Sequence, residues 1–178
     1  SPRSLGGLDG VLWAPFLHGG FGHLLANTLP LVVLGSFVAL AGPRRLLSVT
    51  AFVVVLGGLA TWLVARPAIH IGASGLVYGY IAFLITHSFI NRNKQTIAAS
   101  FVLVFLYGSL VYGIFPDYGR LIGKNISWEG HLSGAIFGVL MGFLFRNKGP
   151  QKTLYFQDEE DDDDEEDDDG YWLERSED

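Results

Sequence analysis

Ser74 is the residue whose type and setting most directly suggest chemistry. It lies in Gly72-Ala73-Ser74-Gly75 at the start of a long apolar run, where glycine and serine indicate that a helix begins. A serine at a helix N-terminus lies beside backbone N–H groups without helical acceptors and beside the positive end of the helix dipole. Those groups could stabilise the oxyanion formed when the hydroxyl attacks a carbonyl, so Ser74 is a candidate nucleophile. The alternative is a serine that only caps its helix.

His131 is the candidate base for that hydroxyl. It opens another apolar run, in Gly130-His131-Leu132-Ser133-Gly134, and a neutral imidazole is the usual group that activates a serine. Tyr78 follows Ser74 by one turn on the same helical face. Because Ser74 and His131 begin different helices, we expect them to meet at one depth when those helices pack side by side.

A third polar group precedes both residues. His23 and Asn27 are four residues apart and share one helical face, and His18 lies five residues before His23. Two histidines and an amide could suggest a metal site, but no carboxylate or third close ligand accompanies them. We therefore predict no metal and no other cofactor. The other interpretation is local hydrogen bonding at a wet helix end, which suits the deeper Asn27 less well.

Glycines recur at every fourth position of the last apolar run. Such a stripe of small residues lets two membrane helices approach closely. The Ser74 helix, with Gly75 and Gly79, is the natural partner for this stripe. The stripe consists of Gly130, Gly134, Gly138 and Gly142.

The distribution of charge indicates the elements that carry these residues. Five uncharged stretches cover residues 10–43, 46–65, 67–91, 95–116 and 130–145. A membrane-spanning helix needs about 17–25 mostly apolar residues, and backbone groups in hydrocarbon must be satisfied internally. We therefore predict an all-α fold, a polytopic membrane helix bundle with five transmembrane helices. Their predicted ranges are 24–41, 46–65, 74–90, 97–115 and 131–146.

The same pattern argues against several classes of protein. The surface helices of a soluble enzyme are polar on one face, and these stretches are not, which leaves a buried helical core as the soluble alternative. The few bases flank apolar segments rather than forming one basic face, so we expect no nucleic-acid partner. The chain has no cysteine, which excludes disulfides, thiolate metal sites and a cysteine nucleophile.

The formal net charge of −6 combines two unlike regions. Residues 1–157 hold 11 basic and 3 acidic residues, a net charge of +8, whereas residues 158–178 hold 15 acids and one base. Seven bases and no acids lie on one side of the predicted bundle, and the positive-inside rule places that side and the C-terminus in the cytoplasm. The helix ends that carry Ser74 and His131 then face outside.

These features divide the chain into four predicted segments. They are an outer N-terminal segment (1–23), the membrane core (24–146), a basic linker (147–157) and an acidic tail (158–178). Like charges repel, so we expect the tail to be disordered, either as a partner-binding segment or without a specific role. An outer N-terminus without a signal sequence indicates that a preceding helix is missing, so we expect the chain to be a fragment.

Together the three motifs resemble those of rhomboid intramembrane serine proteases. The resemblance covers residues 12–146 and implies a rhomboid-like bundle with five of an expected six spans visible. The first span and the outer loop after it, which carries a Trp-Arg pair, are missing, and Trp13 has no adjacent arginine. The residues that carry the resemblance are His18, His23 and Asn27, then Gly72-Ala73-Ser74-Gly75 with Tyr78, then His131-Leu132-Ser133-Gly134.

The resemblance implies an intramembrane serine endopeptidase that cleaves in or near transmembrane segments of membrane proteins. It would lie in the plasma membrane of a prokaryote, with its site open to the outer face. Substrates would enter beside the span within 95–116 and the mobile loop from Phe115 to Glu129. The implied roles are Ser74 as nucleophile, His131 as general base without a third acid, and His23, Asn27 and the Ser74 backbone N–H as oxyanion donors. The implied supporting residues are Tyr78 against the base, Gly134 at the helix contact, Gly72 and Gly75 beside the serine, and His18 near the water-accessible cavity.

Two other functions stay open. One is a proteolytically inactive relative that binds transmembrane clients, which the presence of both Ser74 and His131 argues against. The other is a small transporter or channel subunit, for which carboxylates within the predicted spans would be favourable, and the spans contain none.

Overall fold

The structure is a computed structural model that describes residues 1–92, 97, 101, 105–121 and 125–146. Every regular element in those ranges is helical. The four long helices are α2 (Phe21–Leu40), α3 (Pro43–Val64), α4 (Ser74–Asn91) and α6 (Trp128–Leu144). The short helices are α1 (Gly10–Trp13) and α5 (Tyr118–Leu121), with 3-10 segments at Leu5–Gly7, Ala14–Phe16 and Gly108–Ile114. Within α3, residues Val53–Gly57 form a π-helical turn.

Four of the five predicted spans agree with these helices to within three residues at either end. The differences fall mainly at helix starts, because the prediction stopped at charged residues whereas α3 and α6 continue through them into a first turn. The predicted 97–115 span lies largely outside the described residues. Its described part is helical at residues 97, 101 and 105–107 and ends as a 3-10 segment, Gly108–Ile114, rather than as an α-helix.

The loop predicted from Phe115 to Glu129 is also partly helical. It contains α5, and its last two residues already belong to α6. The predicted linker and acidic tail, residues 147–178, lie outside the described residues, as do residues 122–124 of the loop.

Helices α2 and α3 are long and apolar enough to cross a membrane, judged by length and composition. Only 17% of the most apolar window of each helix is buried in the protein, so most of their apolar surface faces outward. A buried helix in a soluble core would hide that surface, whereas lipid can cover it. Helix α6 has 17 residues, and α4 contains two tyrosines and a histidine, which lower its mean hydropathy.

The packing of α4 against α6 brings two backbones into direct contact. A Cβ atom added to Gly134 would overlap the carbonyl oxygen of Gly75, and one added to Gly138 would overlap the carbonyl oxygen of Gly79. The stripe continues at Gly142, where an added Cβ would lie 2.6 Å from the Cβ of Thr86. Glycine is therefore required for these helices to reach their observed separation.

The apolar core lies on the far side of this contact from Ser74. Phe83, Leu34, Val38 and Val49 are its largest fully buried side chains, and they join α2, α3 and α4. One polar contact crosses it, the 2.6 Å hydrogen bond between the hydroxyls of Thr50 and Tyr80. This core packs the later turns of α4 against α2 and α3, and Ser74 lies in the first turn of α4.

The N-terminal segment is attached to the end of α3. Arg3 donates hydrogen bonds to the carbonyl oxygens of Leu63 and Ala65 at 3.1 and 2.8 Å. The indole of Trp62 returns a bond to the Ser4 carbonyl at 3.0 Å. A cation at a helix C-terminus satisfies carbonyls that have no helical donor, so this contact holds the segment over the end of α3.

We expect Gly138→Ala to destabilise the bundle by about 1–3 kcal/mol, because the added methyl group meets backbone that cannot rotate away. Thermal unfolding of detergent-purified protein would measure this as a lower Tm. Gly22→Ala in α2 is the matched control, since a Cβ there meets nothing within 4 Å. Equal Tm values for the two variants would contradict the proposed backbone contact.

Candidate active site

Ser74 is the first residue of α4, and Ala73 before it is the N-cap. No side chain caps this helix, so the alternative that Ser74 serves only as a cap is wrong. The Ser74 hydroxyl instead lies 2.8 Å from Nε2 of His131. The backbone N–H groups of Ser74 and Gly75 belong to the first turn, where no helical carbonyl precedes them, so they point toward the space in front of the hydroxyl.

The hydrogen bonds of His131 define its tautomer. Nδ1 lies 2.9 Å from the carbonyl oxygen of Gly113, which can only accept. Nδ1 must therefore carry the proton, and in the neutral ring Nε2 is left as an acceptor facing the Ser74 hydroxyl. This is the arrangement in which an imidazole can take a proton from a serine. The His131 side chain is buried, so its ring makes these contacts inside the protein.

The ring of Tyr78 fixes the plane of the His131 ring. Their centroids are 4.2 Å apart and their planes differ by only 12°. The Tyr78 hydroxyl donates a hydrogen bond to the carbonyl of Leu110, so it is anchored to the same 3-10 segment that holds Nδ1. A Cβ on Gly113 would overlap the Tyr78 hydroxyl, which explains why glycine occupies that position.

The loop before Ser74 lies against the residues of α2. Gly72 has a φ of +108°, which L side chains rarely adopt, and its N–H donates to the Ala14 carbonyl at 2.8 Å. A Cβ on Gly72 would lie 2.7 Å from His23 Nε2 and 3.4 Å from Asn27 Nδ2. His23 and Asn27 therefore reach the loop two residues from Ser74, and only glycine leaves them room.

Both side chains can present N–H donors there. His23 Nδ1 accepts a 3.4 Å bond from the Gly19 N–H, so in the neutral ring Nε2 carries the proton and faces Gly72. Asn27 is buried and donates one amide N–H to the His23 carbonyl at 2.9 Å, which leaves its second N–H for another acceptor. His18 packs edge-on against His23 with ring centroids 5.1 Å apart, so it supports that ring.

A cavity of about 130 Å³ is lined in part by Ser74. It lies between the N-terminal segment, α3, the loop before α4 and the start of α6. Its lining includes both apolar and polar groups. Among them are Ser74, Gly75, His70, Ser127 and Gly130.

An ion pair between Arg66 and Glu129 lies beside the site, and the sequence motifs did not indicate it. Glu129, in the first turn of α6, is buried, and its Oε1 lies 3.4 Å from Nε of Arg66. The prediction started the last span at residue 131 and so left Glu129 in a loop. An acid in the first turn of a helix is stabilised by the helix dipole. The position of Glu129, two residues before His131, could therefore have indicated that it belongs to the helix.

A metal site would need a larger set of ligands. Within the described ranges, no group of three or more histidine, cysteine, aspartate or glutamate side chains could hold a metal ion.

Comparison with known proteins gives the family. A family model described as the rhomboid domain matches residues 7–148. An uncharacterized protein of Mycobacterium tuberculosis is 44% identical over 149 residues, covering 80% of this chain and 61% of that protein. An uncharacterized protein of Mycobacterium leprae is 46% identical over 143 residues, covering 77% and 56%. The rhomboid-like protease 5 of Toxoplasma gondii is 30% identical over 143 residues, covering 79% and 16%.

This chain belongs to the rhomboid family, and it is a membrane-embedded bundle of helices. It spans less than two thirds of the length of each of these three relatives. No solved structure matches it.

We expect the neutral His131 ring to carry its proton on Nδ1. Nitrogen chemical shifts of protein labelled with ¹⁵N-histidine, recorded at mildly alkaline pH, would test this, with His131→Gln assigning the signal. His70 is the internal control because its Nε2 lies 3.0 Å from the Arg66 carbonyl, which can only accept. The neutral His70 ring must therefore carry its proton on Nε2. A proton on Nε2 of His131 would contradict the hydrogen bond to Gly113.

Proposed function

We propose that this protein is an intramembrane serine endopeptidase that hydrolyses peptide bonds in or near transmembrane segments through a Ser74–His131 dyad. The observation that carries the proposal is the 2.8 Å bond between Ser74 Oγ and a His131 Nε2 that is free to accept a proton. Membership of the rhomboid family, which includes a relative named as a protease, supports the same reading.

Each half-reaction uses two proton transfers at Nε2. His131 takes the Ser74 proton as Oγ attacks the scissile carbonyl, and the imidazolium then gives that proton to the leaving amine. Water then attacks the acyl-enzyme and gives a proton to His131. The imidazolium returns that proton to Ser74 Oγ as the ester bond breaks and the carboxylic acid product leaves. The hydrogen bond from Nδ1 to Gly113 and the stacked ring of Tyr78 keep Nε2 directed at Oγ in both half-reactions.

The oxyanion is stabilised by donors from two elements. The Ser74 backbone N–H comes from α4, and the His23 Nε2–H and the second Asn27 amide N–H come from α2. The α2 donors lie beside the loop before Ser74 without a substrate present, because Gly72 has no side chain and leaves room for His23 and Asn27. Donors fixed in advance in a dry site stabilise developing charge more than water does, since they need not reorganise.

The position of the dyad fits cleavage near a membrane surface. Ser74 and His131 lie in the first turns of α4 and α6, at one end of the bundle, next to the cavity. Water can reach that end, while the exposed apolar sides of the bundle face lipid. We place that end on the outer face and the C-terminus in the cytoplasm, from the excess of bases at the other end. The mycobacterial relatives favour the plasma membrane of a prokaryote.

We expect Ser74→Ala and His131→Ala each to abolish cleavage of a transmembrane substrate by detergent-purified protein. Labelling of Ser74 by a fluorophosphonate probe should disappear in both variants. Ser88→Ala and His87→Ala are matched controls, because they remove a buried serine and a buried histidine at the other end of the bundle. Cleavage that survives loss of Ser74 would overturn the dyad. An unlabelled, inactive parent chain would favour the alternative of an inactive rhomboid relative that binds transmembrane clients.

We expect Asn27→Ala and His23→Ala each to lower kcat by about 10²–10³-fold, as loss of one oxyanion donor does in other hydrolases, with a smaller change in KM. Steady-state cleavage measures both constants. Asn91→Ala is the matched control, since Asn91 donates the same kind of bond, to the carbonyl four residues earlier, at 2.8 Å. Equal kcat values for Asn27→Ala and Asn91→Ala would contradict the assignment of Asn27.

A further inference from the structure

We propose that Arg66 and Glu129 form a clasp that positions His131 against Ser74. This inference rests on the proposed function, since it assigns the pair a role in that reaction. Within the described part of the chain, neither residue forms a hydrogen bond or ion pair with Ser74 or His131, so both are positioning residues. The clasp joins the chain just after α3 to the first turn of α6. Three further residues support it, namely His70, Ile126 and Ser127.

Arg66 holds the start of α6 at three points. Its backbone N–H donates to Oε1 of Glu129 at 3.2 Å, and its Nε lies 3.4 Å from the same oxygen. Its Nη2 donates to the carbonyl oxygen of Ile126. His70 adds a second crossing, because its Nδ1 lies 2.7 Å from the Ser127 hydroxyl and its Nε2 lies 3.0 Å from the Arg66 carbonyl.

These contacts lie close to both reacting residues along the chain. Glu129 precedes His131 by two residues in the same helix, and the loop that begins at Arg66 ends at Ser74. The clasp therefore ties the start of the base's helix to the loop that leads to the nucleophile. A shift of α6 along its axis would have to break these bonds as well as the bond between Ser74 and His131.

The glycine contact between α4 and α6 does not supply this restraint by itself. Contact between small, smooth surfaces fixes how close two helices lie, but dispersion forces have little directional preference. Hydrogen bonds have preferred distances and angles, so they fix an axial position. The clasp acts at the end of α6 where His131 lies, and the 2.8 Å bond to Ser74 needs that accuracy.

Stability alone is a poor explanation for the pair. Glu129 is 4% exposed while the Arg66 side chain is 48% exposed, so the arginine remains largely hydrated and their attraction is screened. The second carboxylate oxygen, Oε2, is buried and has no hydrogen-bond partner among the described residues, which costs free energy. A buried carboxylate satisfied on one oxygen stabilises little but defines a geometry.

The test compares Glu129→Gln, Glu129→Leu and the double variant Arg66→Met/Glu129→Leu with the parent chain. Gln keeps an oxygen that can accept the Arg66 N–H, whereas Leu removes the acceptor. We expect Leu to lower kcat and the rate of fluorophosphonate labelling by about 10–100-fold, as a displacement near 1 Å does, with KM changed less than about 2-fold. Gln should retain more activity than Leu. The double variant should be at least as impaired as Leu alone, because Arg66→Met also removes the hydrogen bond to the Ile126 carbonyl.

Tm, measured for every variant, separates positioning from a structural role. A Tm near the parental value with a lower kcat supports the clasp, and partial retention by Gln supports it further. Asp9→Asn is the control, since Asp9 is an exposed acid outside the clasp and asparagine can also cap α1. A fall in kcat that only follows the fraction of unfolded protein would overturn the proposal. This holds even if the Glu129→Gln variant folds and the Glu129→Leu variant does not.

The experiment also separates this proposal from the one on which it rests. A parent chain that cleaves and labels, with Glu129→Leu at parental rates, overturns the clasp and leaves the dyad intact. A parent chain that neither cleaves nor labels overturns the proposed function, and the clasp falls with it.

Discussion

Backbone contact between α4 and α6 sets the distance between Ser74 and His131. The carbonyls of Gly75 and Gly79 lie where side chains on Gly134 and Gly138 would be, so the two helix axes approach as closely as polypeptide allows. A serine and a histidine have short side chains, and they can share a hydrogen bond across two helices only at such a separation. The remaining elements of the site are arranged around this contact, from the loop before α4 to the 3-10 segment beside α6.

The His131 ring is oriented by a backbone carbonyl rather than by an acid. Gly113 lies near the end of the 3-10 segment, where carbonyls lack helical donors, and its oxygen is available to Nδ1. A carboxylate in that place would have to be desolvated within the membrane, which is costly, whereas a carbonyl fixes the same tautomer without a charge. The orientation of His131 therefore depends on a residue that lies 18 positions earlier in the chain.

The setting of Ser74 explains why its hydroxyl is available. Several other hydroxyls within the described helices donate to the carbonyl four residues earlier, as Thr28, Ser36 and Thr61 do at 2.8 Å each. That bond satisfies a polar group surrounded by lipid or protein. Ser74 is the first residue of α4 and has no helical carbonyl behind it, so its hydroxyl bonds to His131 instead. A serine one or two turns further along would bond to its own helix.

From the sequence alone, four of the five spans are predicted to within three residues at either end, and the candidate residues are named. Charge is excluded from hydrocarbon, so uncharged runs mark the helices, and local motifs mark Ser74 and His131. Only the tertiary structure decided which groups meet. The bond from His131 to the Gly113 carbonyl joins residues 18 positions apart, and the Arg66–Glu129 pair joins residues 63 positions apart. Such contacts follow from the separation and register of packed helices, which no local pattern encodes, and Glu129 was missed for that reason.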